Sequence, residues 1–213
     1  MRKRWRVLWR STLIEANVKK RLGSFQLNAN FKDSGIICIT GKNGSGKTTF
    51  LHLLAGFLKP DEGYVKVEGR DVTKLPPEKR GISFVNQESY IPEKSVESHL
   101  LWGAKVRGVK VSEEEVKEVR EALNINFSGK VKNLSLGQRE RVAIATAILS
   151  RPKAILVDEA FSNISEKREI VAGVIGILKK LSIEMIFTTQ DASDSELADR
   201  HYVIHQGVLQ KTF

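Results

Sequence analysis

The sequence predicts an α/β domain in which antiparallel strands at the N-terminal end join a parallel core, with a helical stretch inserted between core strands. Three observations predict it. Phe25-Gln26-Leu27-Asn28-Ala29-Asn30-Phe31 alternates strictly between apolar and polar residues, the period of a strand with one buried face. Ile36-Ile37-Cys38-Ile39-Thr40 and Ala154-Ile155-Leu156-Val157-Asp158-Glu159 are short apolar runs, as expected of parallel strands covered on both faces. Between them, from Ser95 to Asn124, the pattern turns helical and breaks the strand–helix alternation.

At 213 residues the chain is long enough for one sizeable domain. We divide it into a basic extension over 1–11 and a single domain over 12–213, with a helical subdomain at about 88–150 inside it. Apolar content of 41% and charged content of 28% exclude a disordered chain. The single cysteine, Cys38, rules out an intrachain disulfide and reads as a small core residue of a reducing compartment. No apolar run approaches the roughly 20 residues that span a bilayer. The net charge of +10 raises a nucleic-acid or anionic-lipid partner, but the basic residues are spread along the chain, so no nucleic acid is expected. Only the Arg/Trp cluster at the start is dense. It reads either as a disordered extension or as a contact with lipid headgroups, and it lacks the apolar segment of a signal peptide.

Taken in order, Leu13-Ile14-Glu15-Ala16-Asn17-Val18 alternates loosely and turns at Gly23 into the strand that begins at Phe25. The run 36–40 is a buried strand, and Thr49-Phe50-Leu51-His52-Leu53-Leu54-Ala55-Gly56 a helix after it. Pro60-Asp61-Glu62-Gly63 is a turn, and Tyr64-Val65-Lys66-Val67-Glu68-Gly69 another alternating strand. Pro76-Pro77 stops any helix, and Ile82-Ser83-Phe84-Val85 is a strand ending at Asn86-Gln87. Within the helical stretch Val96, Leu100 and Leu101 share a face, and Ser112 caps a helix with an acidic first turn. Leu134-Ser135-Leu136-Gly137-Gln138 opens a helix to about Leu149. After the strand at 154–159 come a helix from about Glu166 to Leu181, a strand from Glu184 to Thr189, a short helix and two final strands.

The stretch between the first buried strand and its helix, Gly41-Lys42-Asn43-Gly44-Ser45-Gly46-Lys47-Thr48, fits G-x-x-x-x-G-K-[ST]. Its glycines let the backbone curl so that N–H groups converge on a phosphate. Lys47 supplies a mobile charge for the outer phosphates, and the Thr48 hydroxyl a magnesium ligand. A mere glycine-rich turn would not need the Lys-Thr pair or the helix that follows, whose N-terminus favours an anion. Two later features narrow the chemistry. The strand ending in Asp158-Glu159 places Asp158 to hold magnesium and Glu159 to orient an attacking water. Ser135 and Gly137 at a helix N-terminus form a second anion site, which makes sense if two copies complete each other.

With these residues in view, the chain resembles the nucleotide-binding subunit of an ATP-binding cassette (ABC) transporter from about Leu13 to its end. The resemblance implies a P-loop NTPase fold with an ABC-type core, ATP and Mg2+ as cofactors, and hydrolysis coupled to transport. ATP would be held by Gly41, Asn43, Gly44, Ser45, Gly46, Lys47, Thr48, Thr49 and Gln87, and across a dimer by Ser135, Gly137 and Gln138 of the second copy. Thr48, Gln87 and Asp158 would be the metal ligands, and Glu159, Gln190 and Lys47 the catalytic set. Implied partners are a second copy, transmembrane permease subunits met largely by the stretch 95–124 with Leu101 and Trp102, and a solute-binding protein. The implied location is peripheral, on the cytoplasmic face of the cell membrane. Lys20-Arg21-Leu22-Gly23-Ser24-Phe25-Gln26-Leu27-Asn28 and Leu75-Pro76-Pro77-Glu78-Lys79-Arg80-Gly81-Ile82 look closest to ATPases of molybdate/tungstate-type oxyanion importers. Several of those carry a regulatory domain after the core, which this chain is expected to lack.

The chain also departs from the family pattern. Leu136 replaces the first glycine of the usual Leu-Ser-Gly-Gly-Gln, Ser162-Asn163-Ile164-Ser165 lacks the usual aspartate, and Thr189-Gln190-Asp191 has glutamine in place of histidine. The family's adenine-stacking aromatic is replaced near Leu22, where Leu22, Phe25 or neither serves. Gln190 donates a hydrogen bond but carries no charge. Losing one preorganised donor costs about 10²–10³ in rate, so the expectation is a slow but working ATPase. The competing readings are a nucleotide-gated regulator, or a DNA-repair-type ATPase, which would insert long coiled coils before Ser135. A small P-loop kinase would have no use for the stretch from Leu134 to Gln138.

Overall fold

The computed structural model describes residues 14–159, 161 and 163–213. The basic extension, with its two readings, and Ser162 lie outside the described residues. Among the described residues, ten strands form one sheet in the order β5-β4-β1-β2-β10-β9-β3-β8-β7-β6. The strands are β1 Ile14–Leu22, β2 Phe25–Asp33, β3 Ile36–Thr40, β4 Glu62–Val67, β5 Arg70–Asp71, β6 Ile82–Val85, β7 Ala154–Asp158, β8 Glu184–Thr189, β9 Arg200–His205 and β10 Val208–Lys211. β1 pairs antiparallel with β2 and β4, whereas β3, β6, β7 and β8 pair in parallel. The antiparallel strands thus continue the parallel core within one sheet. β5 follows a turn at Glu68-Gly69 too short to carry a sequence period, and the sequence reading missed it.

Alternation along the central strands sorts the core into two layers. Ile37 and Ile39 of β3, Ala154 and Leu156 of β7 and Ile186 of β8 face α1 (Lys47–Ala55), together with the inner residues of β1, β2 and β4. Ile36, Cys38, Ile155, Val157, Met185 and Phe187 face the other way, onto α5 (Leu136–Leu149) and α6 (Lys167–Leu181). Both faces are covered, which is why these strands read as continuous apolar runs. Burial pushes the Cys38 thiol up to about 12, so it serves as packing.

The helical stretch divides into α2 (Val96–Leu100), α3 (Trp102–Arg107) and α4 (Glu113–Ala122), and α2, α3 and α4 each contact α5. Ser112 and Glu115 form a reciprocal capping box at α4, as its sequence indicates. The expectation that Val96, Leu100 and Leu101 share one face is corrected: α2 ends at Leu100, and Leu101, at the junction with α3, is 45% exposed while Val96 and Leu100 are buried. α1 starts two residues earlier than the periodicity suggested, because Gly46 in the left-handed region caps it. α6 starts one residue later, Glu166 being left-handed.

The carboxyl end of α1 is held by one side chain. Arg80, 2% exposed, donates to the carbonyls of Leu53 (2.8 Å), Leu54 (3.1 Å), Leu75 (2.9 Å) and Thr73 (2.8 Å). It satisfies orphan carbonyls at the negative end of the helix dipole, far from the end that meets the cleft. Removing it leaves several carbonyls buried without a donor, each costing about 1–3 kcal/mol. Arg80→Ala is therefore expected to lower unfolding stability by about 3 kcal/mol or more, with Arg80→Lys recovering part. Denaturant melts of the three proteins check this; an alanine variant as stable as the parent would remove Arg80 from that role.

Candidate nucleotide-binding site

Four adjacent parallel strands, β6, β7, β8 and β3, deliver their following residues to one edge of the sheet. Ligands of open α/β sheets bind outside such carboxyl ends. A cleft of about 550 Å³ lies there, lined by the loop before α1, by Asn86, Gln87 and Glu88 after β6, and by Asp158 and Glu159 at the end of β7. Asn43, Gly44, Gly46, Lys47, Thr48, Thr49, Gln87, Asp158 and Glu159 all reach it. Gly41 lies behind the loop's lining, where a Cβ would come within 2.5 Å of the Ile204 carbonyl and 2.7 Å of the Ser45 hydroxyl.

The loop is shaped to receive an anion. Gly46 stands at φ 110°, and a Cβ there would lie 2.8 Å from the Phe25 ring, so only glycine fits. As N-cap of α1 it supplies no side-chain acceptor, which leaves the first N–H groups of the helix for a ligand. The Ser45 hydroxyl is buried and has no hydrogen-bond partner among the described residues. Such an orphan within a cradle of glycines fits a phosphate-bearing ligand. Lys47, 5% exposed, donates to the carbonyls of Gly41 (2.8 Å) and Lys42 (3.2 Å) and stands 3.2 Å from Glu159 Oε1. Thr48, Gln87 and Asp158 bring oxygen donors to the same cleft, a set suited to a hard cation. No cluster of three or more His, Cys, Asp or Glu side chains suited to a metal occurs among the described residues. A cation at this place would complete its shell with phosphate and water oxygens.

The two acids are presented differently from what the sequence implied. β7 ends at Asp158, and Glu159 turns out of the strand into the left-handed region at φ 55°. Such a conformation costs a residue other than glycine about 1–3 kcal/mol and needs support from its surroundings. Support comes from Thr188 of β8, paired in register with Asp158. Its hydroxyl donates to Asp158 Oδ1 at 2.7 Å and accepts the Glu159 N–H at 3.2 Å. Gln190 is exposed and donates its amide to Glu159 Oε2 at 3.5 Å, so it joins the cleft through Glu159 rather than by lining it.

Ser135, Gly137 and Gln138 are assembled elsewhere. Ser135 caps α5, accepting from the Gln138 N–H at 3.3 Å, while Gln138 Oε1 accepts from the Ser135 N–H at 2.9 Å. A Cβ on Gly137 would lie 2.4 Å from the Asn163 carbonyl, so glycine is required for the loop after β7 to pack against α5. Asn163 also donates to Glu140 Oε1 at 2.8 Å, and burial pushes the Glu140 carboxyl above its usual range. None of Ser135, Gly137 and Gln138 lines the cleft.

Sequence reasoning missed Thr188, Asn86 and Glu88, and left Phe25 open; Phe25 lines the cleft, whereas Leu22 is an exposed strand end. The signal for Thr188 was a polar residue near the end of the otherwise apolar Met185-Ile186-Phe187-Thr188-Thr189. Only the strand register shows what it touches.

A profile described as ABC transporter matches residues 25–162. The molybdate/tungstate import ATP-binding protein of Archaeoglobus fulgidus is 35% identical over 203 residues, covering 91% of this chain and 84% of its own. The spermidine/putrescine import ATP-binding protein of Hahella chejuensis is 36% identical over 210 residues, 92% of this chain and 57% of its own. Among solved structures, the ADP conformation of an ATP-binding cassette of an ABC transporter aligns with a TM-score of 0.75 at 27% identity, covering 94% of this chain and 89% of its own. Phosphate loop, mixed sheet, capped signature helix and these likenesses agree: the chain belongs to the ABC transporter family.

Proposed function

We propose that this chain is the ATP-binding and ATP-hydrolysing subunit of an importer, working as two copies beneath separate membrane subunits. The observation that carries the reading is the meeting of Lys47, Thr48, Asp158 and Glu159 on one cleft, while the Ser135 helix cap stands outside it. A second copy would bring its Ser135, Gly137 and Gln138 to the outer phosphate, with Gln138 already committed to the Ser135 cap and acting through it. Residues 12–213 act as one domain in this reading, with a helical part at about 88–150 whose stretch 95–124 supplies much of the surface facing the permease.

The chemistry follows from the contacts. Lys47 is shared between two cradle carbonyls and Glu159, and an arriving triphosphate competes for the same ammonium by its charge. Glu159 is thereby released to orient and deprotonate a water. Magnesium, held by Thr48, Gln87 and Asp158, would neutralise charge on the transferring phosphoryl group. Gln190, in amide contact with Glu159, would stabilise that carboxylate's orientation and donate to the γ-phosphate. The absence of the histidine charge supports a slow enzyme.

An oxyanion is the favoured solute, on the likeness to the Archaeoglobus fulgidus protein. A relative named for polyamines is equally similar, which supports selection of the solute by the permease and a solute-binding protein. No helix among the described residues is long and apolar enough to cross a membrane, in keeping with a subunit docked at the cytoplasmic face. The repair-type alternative is disfavoured by helices of 5, 6 and 10 residues where it needs coiled coils. The regulator alternative is favoured by Gln190 and by the loop Ser162-Asn163-Ile164-Ser165 that lacks the usual aspartate, and turnover separates it.

Glu159→Gln is expected to cut ATP turnover by at least about 10²-fold while ATP still binds, read by phosphate release and by equilibrium binding. Steady hydrolysis by that variant would remove Glu159 from its role. Gln190→His is expected to raise kcat; an unchanged or lower value would mean that the centre is tuned to glutamine. With ATP and magnesium, Glu159→Gln should also sediment as two chains, and a species that stays single would defeat the shared site.

A further inference from the structure

We propose that Thr188 is a positioning residue for hydrolysis: its hydroxyl clasps the Asp158 carboxylate and the Glu159 backbone, so that the two acids face the cleft as one rigid unit. The proposal rests on the ATPase reading above and goes beyond it by assigning what keeps Glu159 in its left-handed conformation.

Thr188 is 2% exposed, directly after the buried apolar run Met185-Ile186-Phe187 of its strand. A buried hydroxyl in such a place is costly without partners. Both of its partners belong to the acids at the end of β7, the carboxylate at 2.7 Å and the N–H at 3.2 Å. The bookkeeping of one hydroxyl is complete: its single hydrogen goes to Asp158, and a lone pair receives Glu159. A β-branched side chain holds few χ1 rotamers, so the hydroxyl does not wander. The neighbouring Thr189 serves a different loop, donating to Asp194 at 2.6 Å and accepting the Asp191 N–H at 3.1 Å. Two adjacent threonines therefore have separate duties, and only Thr188 touches the acids.

Two consequences follow. Oδ1 of Asp158 is oriented by a donor from behind, which sets how the carboxylate meets a cation. The Glu159 backbone is tied at φ 55°, the turn that brings its carboxylate to Lys47 and Gln190. A loosened Glu159 would keep ATP binding, which depends on the loop before α1, but would lose the aim of the attacking water.

The test uses the full chain and three proteins: parent, Thr188→Val, which keeps the shape and deletes the hydroxyl, and Thr188→Ser, which keeps the hydroxyl. Steady-state turnover gives kcat and KM for ATP. Manganese binding to the ATP complex, measured by electron paramagnetic resonance in the Glu159→Gln background, reads Asp158 without turnover. Expected for Thr188→Val are a kcat lower by roughly 10- to 100-fold, KM within about threefold, and weaker manganese binding, with Thr188→Ser restoring all three to near the parent. A Thr188→Val enzyme within twofold of the parent kcat overturns the proposal, as does a serine variant that falls equally far, since shape alone would then matter. Should the valine variant not fold, Thr188→Cys takes its place, with the same loss expected because a thiol is a weak donor. A parent protein that turns over no ATP would instead overturn the ATPase reading and leave the clasp to be judged by manganese binding alone.

Discussion

The contact on which the site depends is the one between Lys47 and Glu159, 3.2 Å apart. A lysine taken almost wholly from water is tolerable only with acceptors around it. The cradle carbonyls of Gly41 and Lys42 supply two, and Glu159 supplies the opposite charge. The carbonyls lie in the same loop as Lys47, whereas Glu159 is distant in sequence and is brought to it by the pairing of β3 with β8 and of β8 with β7. In the proposed function the same contact would tie ligand binding to chemistry, because a phosphate would compete with Glu159 for one ammonium.

Helix α1 carries that arrangement between two ends treated in opposite ways. At its start Gly46 offers no capping side chain, so the helix meets the cleft with unsatisfied donors. At its far end the carbonyls of Leu53 and Leu54 are satisfied by the Arg80 guanidinium. The dipole is thus left open where an anion is wanted and closed where the chain is buried. Burial holds the Arg80 side chain somewhat below its ordinary pKa, and it remains a cation at any physiological pH.

The departures from the family pattern fall into different physical classes. Leu136, 39% exposed at the first position of α5, presents an apolar side chain where the usual glycine presents none, on a surface that a second copy would meet. Gln190 keeps a donor beside Glu159 but loses the charge. The loop after β7 is fastened to α5 by the Asn163–Glu140 hydrogen bond and by the close approach of Gly137. Asn163 is therefore packed directly against the helix that carries Ser135.

Much of this was legible in the residues themselves. The glycine spacing with Lys47 and Thr48, the apolar runs at 36–40 and 154–157 and the Ser135 cap are local signals, and local periods and caps determine local structure. The short β5, the end of α2 before Leu101 and the end of β7 before Glu159 were not legible, because each depends on where a partner element stops. Tertiary structure alone decided that Thr188 would touch both acids and that Lys47 would sit against Glu159. Those outcomes follow from strand register and helix packing, in which residues far apart in sequence are held within hydrogen-bond reach, and no period within one segment encodes such a distance.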